Sequence, residues 1–240
     1  MKQLKDNLKV FVGVPFLGTG KPCESHLGEA LDSLAKQETS VEVRFAWVTP
    51  PAASRGRQRV LVAEKNNDII EAFLKTDCSH VLLLNADCEL PIDAIEKLIR
   101  LDVDIASGVS PTHMDWNETT VGRQLPSGAL KFLRRMDVEG KILGNDHCYA
   151  TGNFCLLAKR QAFHRYSPDY EPLRYQMFKE RKYVLGPELQ FFADACDMGF
   201  SVRIHGGVMV GHLPEWPLSY IGHEDELHNK MRNIKWQEAP

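Results

Sequence analysis

The stretch VLLLNADCELP, residues 81–91, decides the fold. Its first four residues are apolar without a break, which predicts a strand buried on both faces, as in a parallel sheet. Asn85, Ala86 and Asp87 follow at once, and Pro91 suits the first turn of a helix. Ligands of open α/β sheets bind beyond the carboxyl ends of the strands. A carboxylate there suits a divalent cation shared with a phosphate, so Asp87 is the first candidate metal ligand.

Strands and helices alternate on both sides of this stretch, and the periodicity of apolar residues predicts where each lies. In the first half we predict strands over residues 8–14, 41–48, 81–84 and 103–106, and helices over residues 24–36, 57–75 and from Pro91 onward. In the second half we predict strands over residues 154–157, 200–204 and 208–210, a helix over residues 188–198, and loops with short strands over residues 111–147. This alternation predicts an α/β fold with a mostly parallel central sheet.

The chain reads as one domain followed by a tail. Residues 1–213 are predicted to form the domain, with a nucleotide-binding half over about 1–110 and an acceptor half over about 111–213. Residues 214–240 are polar and punctuated by Trp216, Tyr220 and Trp236. This tail could dock on a second chain, on a membrane surface or on its own domain.

Composition excludes several classes of function. The 240 residues are 43% hydrophobic and 25% charged, which is ordinary for a globular protein. A net charge of -3 gives no general attraction to nucleic acid. No apolar stretch approaches a membrane span, and residues 1–9 lack the apolar core of a signal peptide. The six cysteines include no C-x-x-C pair. We therefore expect a cytoplasmic protein with reduced, mostly buried thiols and no structural zinc.

Two segments resemble known functional motifs but lack the residues or the spacing that those motifs require. Residues 18–21, GTGK, lack the upstream glycine of a P-loop, and Pro22 replaces the required Ser or Thr. His223 and His228 resemble the pair of a zinc-protease helix, but their spacing places them about 140° apart around a helix. They cannot share a metal on one face.

Four segments, in this order and spacing, resemble the family-2-like glycosyltransferases of the GT-A fold. They are KVFVGVP (residues 9–15), the run from residue 62 to residue 87, ATGNFCLLAKRQAF (residues 150–163) and GPELQFFADACDMGFSVRIHGGVMVGH (residues 186–212). The resemblance implies a Rossmann-like, three-layer GT-A domain. It also implies a metal-dependent enzyme that uses a nucleoside-diphosphate sugar.

The resemblance assigns the metal and the catalytic base. Asn85, Ala86 and Asp87 fall on the family's DxD motif, with Asp87 and His212 as ligands of Mn²⁺ or Mg²⁺. Asn85 departs from the usual aspartate, and its amide could bond a ribose hydroxyl or could mark a catalytically inactive relative. Glu188 falls at the position of the catalytic acid of inverting members and would act as general base.

The remaining candidates surround the ligand. In the family an Arg-Asn pair on a helix precedes the DxD motif; here Asn66 and Asn67 occupy the two positions. The predicted nucleotide-sugar contacts are Pro15, Thr49, Arg59, Asn67, Asn85, Ala86 and Asp87. Gly152 and Trp116 are predicted on the acceptor side.

The resemblance thus implies a hexosyltransferase-type enzyme, inverting rather than retaining, that moves a sugar from a UDP- or GDP-linked donor. Its acceptor (a glycan, a lipid, a protein or a small molecule) stays open. Two alternatives stay open as well. One is a nucleotidyltransferase, which shares the scaffold and the metal. The other is a non-catalytic protein that binds sugar nucleotides or glycans, which Asn85 motivates.

Overall fold

The structure, a computed structural model of the chain, describes residues 8–15, 21–48, 58–112, 117–127, 129–144, 147–164, 173–175 and 186–212. The strands are β1 (Lys9–Val14), β2 (Glu42–Val48), β3 (His80–Leu84), β4 (Cys88–Glu89), β5 (Ile105–Val109), β6 (Glu118–Gln124), β7 (Leu130–Arg134), β8 (Ile142–Leu143), β9 (Tyr149–Ala150), β10 (Cys155–Lys159), β11 (Val202–Met209) and β12 (Gly211–His212). The helices are α1 (Lys21–Ala35), α2 (Gln58–Leu74), α3 (Ala94–Ile99), α4 (Arg135–Val138) and α5 (Pro187–Asp197), with a 3-10 turn over Arg160–Phe163.

A seven-stranded sheet in the order β2-β1-β3-β10-β5-β11-β8 forms the centre of the fold. Strands β1, β2, β3, β5 and β11 run in one direction. Strand β10 runs against them between β3 and β5, and β8 runs against β11 at the edge. The predicted α/β class is therefore confirmed, with a sheet that is mixed.

Helices cover both faces of this sheet, and β3 shows why its sequence is apolar without a break. Val81 and Leu83 pack with residues of α2 and α5, such as Phe73 and Phe191. The alternate residues Leu82 and Leu84 join the core formed with α1 and α3. Successive side chains of a strand point to opposite faces, so a strand buried on both faces needs apolar residues throughout.

The second half differs from the prediction at one strand. We predicted two strands separated at Gly206 and Gly207, but β11 runs unbroken through both glycines. A Cβ on Gly206 would lie 1.7 Å from the carbonyl oxygen of Val138. Gly206 therefore allows another part of the backbone to approach closely and does not end the strand.

Two smaller sheets complete the fold. Strands β6 and β7 lie within residues 111–147, where short strands were predicted, and form an antiparallel sheet with β9, which was not predicted. Strands β4 and β12 form a two-stranded ladder that we did not predict. The helix predicted to start at Pro91 begins instead at Ala94, after a turn in which the Ala94 N–H donates to the Pro91 carbonyl.

The expectation of reduced thiols is wrong for one pair of cysteines. Cys148 and Cys196 form a disulfide, with Cα atoms 6.0 Å apart. The bond joins the last turn of α5 to the residue that precedes β9. Three other cysteines in the described ranges, Cys78, Cys88 and Cys155, are buried and do not form a disulfide.

Among the helices that the structure describes, none has the length and apolar character needed to cross a membrane. The predicted tail, residues 214–240, lies outside the described residues.

Candidate functional site

The ends of the parallel strands form one edge of the sheet, and several predicted residues follow them there. Gly13 of β1 pairs with Leu83 of β3, so Pro15 and Asn85 come just after the same level of two neighbouring strands. Pro15 is buried and Asn85 is half-buried. Strand β10 starts at this edge because it runs in the opposite direction, with Cys155 paired to Leu84. The predicted donor side and the start of β10 therefore lie side by side.

Asn85, Ala86 and Asp87 form a tight turn at the end of β3. The Asn85 N–H donates to the Phe154 carbonyl at 3.4 Å, and the Cys88 N–H donates to the Asn85 carbonyl at 3.1 Å. The Cys88 thiol donates to Oδ1 of Asp87 at 3.6 Å. All three residues of the turn are half-buried. Hydrogen bonds therefore fix the turn at both of its ends, and Asp87 lies at the edge of the sheet.

Strand pairing brings the two predicted metal ligands into one unit. In the ladder of β4 and β12, His212 pairs with Cys88, the residue next to Asp87. In the parts of the chain that the structure describes, no group of three or more His, Cys, Asp or Glu side chains could hold a metal ion. Mg²⁺ and Mn²⁺ at phosphate-binding sites often take only one or two protein ligands, with phosphates and waters as the rest. A single carboxylate such as Asp87 is compatible with a cation of that kind. For His212 the structure describes the backbone, which β12 places opposite Cys88.

The side chain of Asn67 forms hydrogen bonds with a part of the chain that is distant in sequence. Its amide Nδ2 donates to the Tyr175 carbonyl, and its Oδ1 accepts from the Tyr175 N–H, each at 2.9 Å. In the structure this side chain thus pairs with the backbone, as another peptide group would. Its predicted contact with a nucleotide remains a prediction.

Asn66, at the family's arginine position, has a different environment. It is 0% exposed, and neither its Oδ1 nor its Nδ2 has a hydrogen-bond partner among the described residues. A buried polar group without a partner costs about 1–3 kcal/mol, and native proteins pair most of them. Among the side chains of α2 that the structure describes, Asn66 has two buried polar atoms without a partner.

The turn that leads into β10 contains the predicted acceptor-side Gly152. A Cβ there would lie 2.1 Å from Cε2 of Phe154, so any larger residue would displace that ring. The next residue, Asn153, is 1% exposed and accepts a hydrogen bond from the Tyr175 hydroxyl at 2.7 Å. Its Nδ2 has no partner among the described residues.

Glu188 lies in the first turn of α5, after the N-cap Gly186 and Pro187. This position favours a carboxylate because the helix dipole stabilises negative charge there. The ring of Phe191, in the same helix, stacks on Tyr175 with centroids 4.5 Å apart. Burial raises the pKa of Tyr175 well above its usual value, and the charge of Glu188 raises that pKa further. The charge of Glu188 therefore acts on the hydroxyl of Tyr175.

The structure does not describe the side chains of three predicted site residues. Thr49 and Trp116 lie outside the described residues. Arg59 is the second residue of α2, and the structure describes its backbone there. The described part of the candidate site thus comprises the turn after β3, the ladder with β12, the turn before β10 and, through Tyr175, the start of α5.

Sequence reasoning missed Tyr175 and Asn153. Tyr175 lies in a segment without periodicity, so no pattern indicated that its hydroxyl and backbone would join two separate elements. Asn153 lies inside residues 150–163, one of the segments that resemble the family, and an asparagine directly after a glycine just before a predicted strand was a usable signal there.

Comparisons with known proteins add little to this geometry. No protein-family model matches the chain. No curated protein matches it. Among solved structures, the crystal structure of A197 from STIV is similar to it, with a TM-score of 0.49 and 13% sequence identity over 87% of each chain. A likeness at this level carries no argument about function.

Proposed function

We propose that this chain is a GT-A glycosyltransferase that moves a sugar from a UDP- or GDP-linked donor to an acceptor hydroxyl with the help of a divalent cation. The single observation that carries the proposal is the turn Asn85-Ala86-Asp87. It stands at the carboxyl edge of the parallel strands, where α/β sheets bind their ligands. Three contacts support it: β1 pairs with β3, the Asn85 N–H donates to the Phe154 carbonyl, and His212 pairs with Cys88.

The cation would be held by Asp87 together with His212 of the adjacent ladder. When bound, it would supply Lewis-acid stabilisation of the charge that develops on the departing diphosphate. Asn85 has a neutral amide in place of a second carboxylate, so the chain's own affinity for a cation without nucleotide would be low. The nucleotide would then bring most of the cation's ligands.

Glu188 would accept the proton of the acceptor hydroxyl as its oxygen attacks the anomeric carbon of the sugar. The bond from that carbon to the diphosphate oxygen breaks in the same displacement, which inverts the configuration. A carboxylate at the start of α5 is stabilised as an anion, which is the form a base needs.

The test is a release assay on UDP- and GDP-sugars with and without Mn²⁺. Metal-dependent release of the nucleoside diphosphate supports the transferase. Release of pyrophosphate would instead support the nucleotidyltransferase, and saturable binding without release would support a non-catalytic binding protein.

The same assay with Asp87→Ala tests the metal ligand. We expect loss of Mn²⁺-dependent nucleotide binding with unchanged folding, because one carboxylate supplies the charge at this lip. Asp68→Ala is the matched control, since Asp68 is an exposed acid on α2. Retained Mn²⁺-dependent affinity in Asp87→Ala would refute the assignment.

A further inference from the structure

The orientation of the Asn153 amide is fixed by a single partner. Oδ1 of Asn153 accepts the hydrogen bond of the Tyr175 hydroxyl at 2.7 Å. A hydroxyl on a fully buried tyrosine near a carboxylate stays protonated, because burial and then the charge of Glu188 raise its pKa. In the structure the hydroxyl is the donor of this bond and the oxygen of Asn153 is the acceptor. The amide nitrogen must point the other way.

That nitrogen is a donor group without an acceptor. Asn153 is 1% exposed, and its Nδ2 has no hydrogen-bond partner among the described residues. Leaving such a donor unpaired costs about 1–3 kcal/mol, so its retention calls for a partner. Tyr175 holds the nitrogen in place at the same time, through its ring stack on Phe191 and its backbone bonds to Asn67.

The position of Asn153 places this donor beside the proposed site. Its neighbour Phe154 accepts the hydrogen bond from Asn85, the first residue of the turn that carries Asp87. On its other side, Tyr175 connects it to α5 and to the field of Glu188. Asn153 is therefore linked through Phe154 to the proposed donor side and through Tyr175 to the helix that carries the proposed base.

The charge of this environment selects the kind of oxygen that Nδ2 can bind. The negative charge of Glu188 raises the pKa of Tyr175. A negative charge nearby disfavours a second anion, such as a phosphate oxygen, at this amide. A neutral oxygen carries no such penalty. A hydroxyl oxygen accepts from an amide nitrogen and donates its own proton elsewhere.

We infer that Nδ2 of Asn153 donates a hydrogen bond to a hydroxyl oxygen of the transferred sugar, and that Tyr175 is a positioning residue that holds the amide in this orientation. This inference rests on the proposed function, since it requires a sugar nucleotide at the site. The proposed contact of Asn153 is with the sugar and not with the nucleotide.

The experiment compares ligands that differ only in the sugar. Dissociation constants are measured by calorimetry on the full chain with Mn²⁺ for UDP, UDP-glucose, UDP-N-acetylglucosamine, GDP and GDP-mannose. The ratio of the constant for a nucleoside diphosphate to that for its sugar conjugate isolates the contribution of the sugar. In Asn153→Ala we expect this ratio to fall about tenfold, the effect of one lost hydrogen bond, with UDP or GDP binding unchanged.

Three further measurements separate positioning from packing. Tyr175→Phe keeps the ring and its stack but frees the amide to rotate, so the ratio should fall by about threefold to tenfold. The Tyr175→Phe variant also tests the proposed contact if Asn153→Ala does not fold. Thr151→Val is the matched control: it removes a buried hydroxyl two residues away, bonded to Thr120, and should leave the ratio unchanged. A series of deoxy-sugar donors should contain one member that costs the wild type affinity but not Asn153→Ala.

The outcomes distinguish the two proposals. An unchanged ratio in Asn153→Ala and Tyr175→Phe, or an equal loss for the nucleotide and its conjugate, overturns the contact and leaves the proposed function intact. Failure of the wild type to bind any of the five ligands overturns both.

Discussion

The amide of Asn67 and the backbone of Tyr175 form a two-membered hydrogen-bonded pair, with both donor–acceptor distances at 2.9 Å. The residues are 108 positions apart in the chain. Tyr175 is buried, and its ring stacks on Phe191 while its hydroxyl bonds Asn153. One tyrosine thus ties α2, α5 and the turn before β10 together. The pair accounts for an asparagine in the middle of a helix, where its intrinsic propensity is poor.

Asn67→Ala should lower the free energy of unfolding by roughly 2–4 kcal/mol, because it leaves the N–H and the carbonyl of Tyr175 unpaired in a buried place. Urea unfolding measures this loss. Glu64→Ala, an exposed change on the same helix, should stay within about 0.5 kcal/mol of the wild type. Equal stability of Asn67→Ala and the wild type would show that the pair contributes nothing.

The sequence predicted the parts of the fold that local patterns encode. The apolar run of β3 and the polar turn after it were read correctly because burial on both faces demands such a run. The ladder of β4 and β12 was missed because two residues on each strand carry no periodicity. Gly206 was read as a break because its packing against the Val138 carbonyl depends on tertiary structure.

The site divides in the same way. The candidate residues Asp87 and Glu188 could be proposed from the sequence, because a carboxylate after a strand or at a helix start has a local signature. Tyr175 could not, because its role comes from contacts with Asn67 and Asn153, which are far away along the chain. The pairing of Cys148 with Cys196 likewise depends on the fold that brings α5 to β9.

Reduction of the Cys148–Cys196 bond should lower the free energy of unfolding by about 4 kcal/mol, the value that the chain-entropy model gives for a sequence separation of 48 residues. Thermal unfolding with and without dithiothreitol measures the difference. The double variant Cys148→Ser with Cys196→Ser is the control and should not respond to dithiothreitol. Peptide mapping under non-reducing conditions should recover the two cysteines in one linked fragment, and their recovery as free thiols would contradict the bond.

His80 should make stability depend on pH. Burial lowers its pKa to about 4, with a further contribution from the charge of Lys159 and an opposing one from Asp102. The unfolded chain, with a histidine pKa of about 6.5, then binds more protons than the folded chain between these values. The stabilisation is therefore complete above pH 6.5 and is lost as the pH falls toward 4. It amounts to roughly 3 kcal/mol at 1.36 kcal/mol per pH unit.

His80→Gln isolates this contribution. Urea unfolding of both proteins from pH 7.5 to pH 4.5 should show a smaller loss of stability in the variant, because other titrating groups contribute equally to both curves and cancel. Parallel curves would show that the pKa of His80 is the same in the folded and unfolded chains.

Asn66→Leu should raise the free energy of unfolding by about 1 kcal/mol when no ligand is present, because it replaces a buried, unpaired amide with an apolar group of similar branching. The comparison with Asn66→Asp is informative, since a buried carboxylate without a partner should destabilise the fold. Urea unfolding at neutral pH measures both. A loss of stability in Asn66→Leu would mean that the amide is already paired in solution, for example by a buried water.

Glu188→Gln should lower turnover by about a hundredfold to ten-thousandfold while donor binding stays the same, because glutamine keeps the shape of the side chain but cannot accept the acceptor's proton. Release of nucleoside diphosphate measures turnover, and calorimetry with the donor measures binding. The glutamine removes a negative charge from the environment of Tyr175, so unfolding must be measured in parallel to exclude a change in the stability of α5. Gln190 and Asp194, which bond each other further along α5, report on the helix itself, and Asp194→Asn should leave donor binding unchanged. Turnover at the wild-type rate in Glu188→Gln would remove this residue from the chemistry and leave its carboxylate a purely helix-stabilising role.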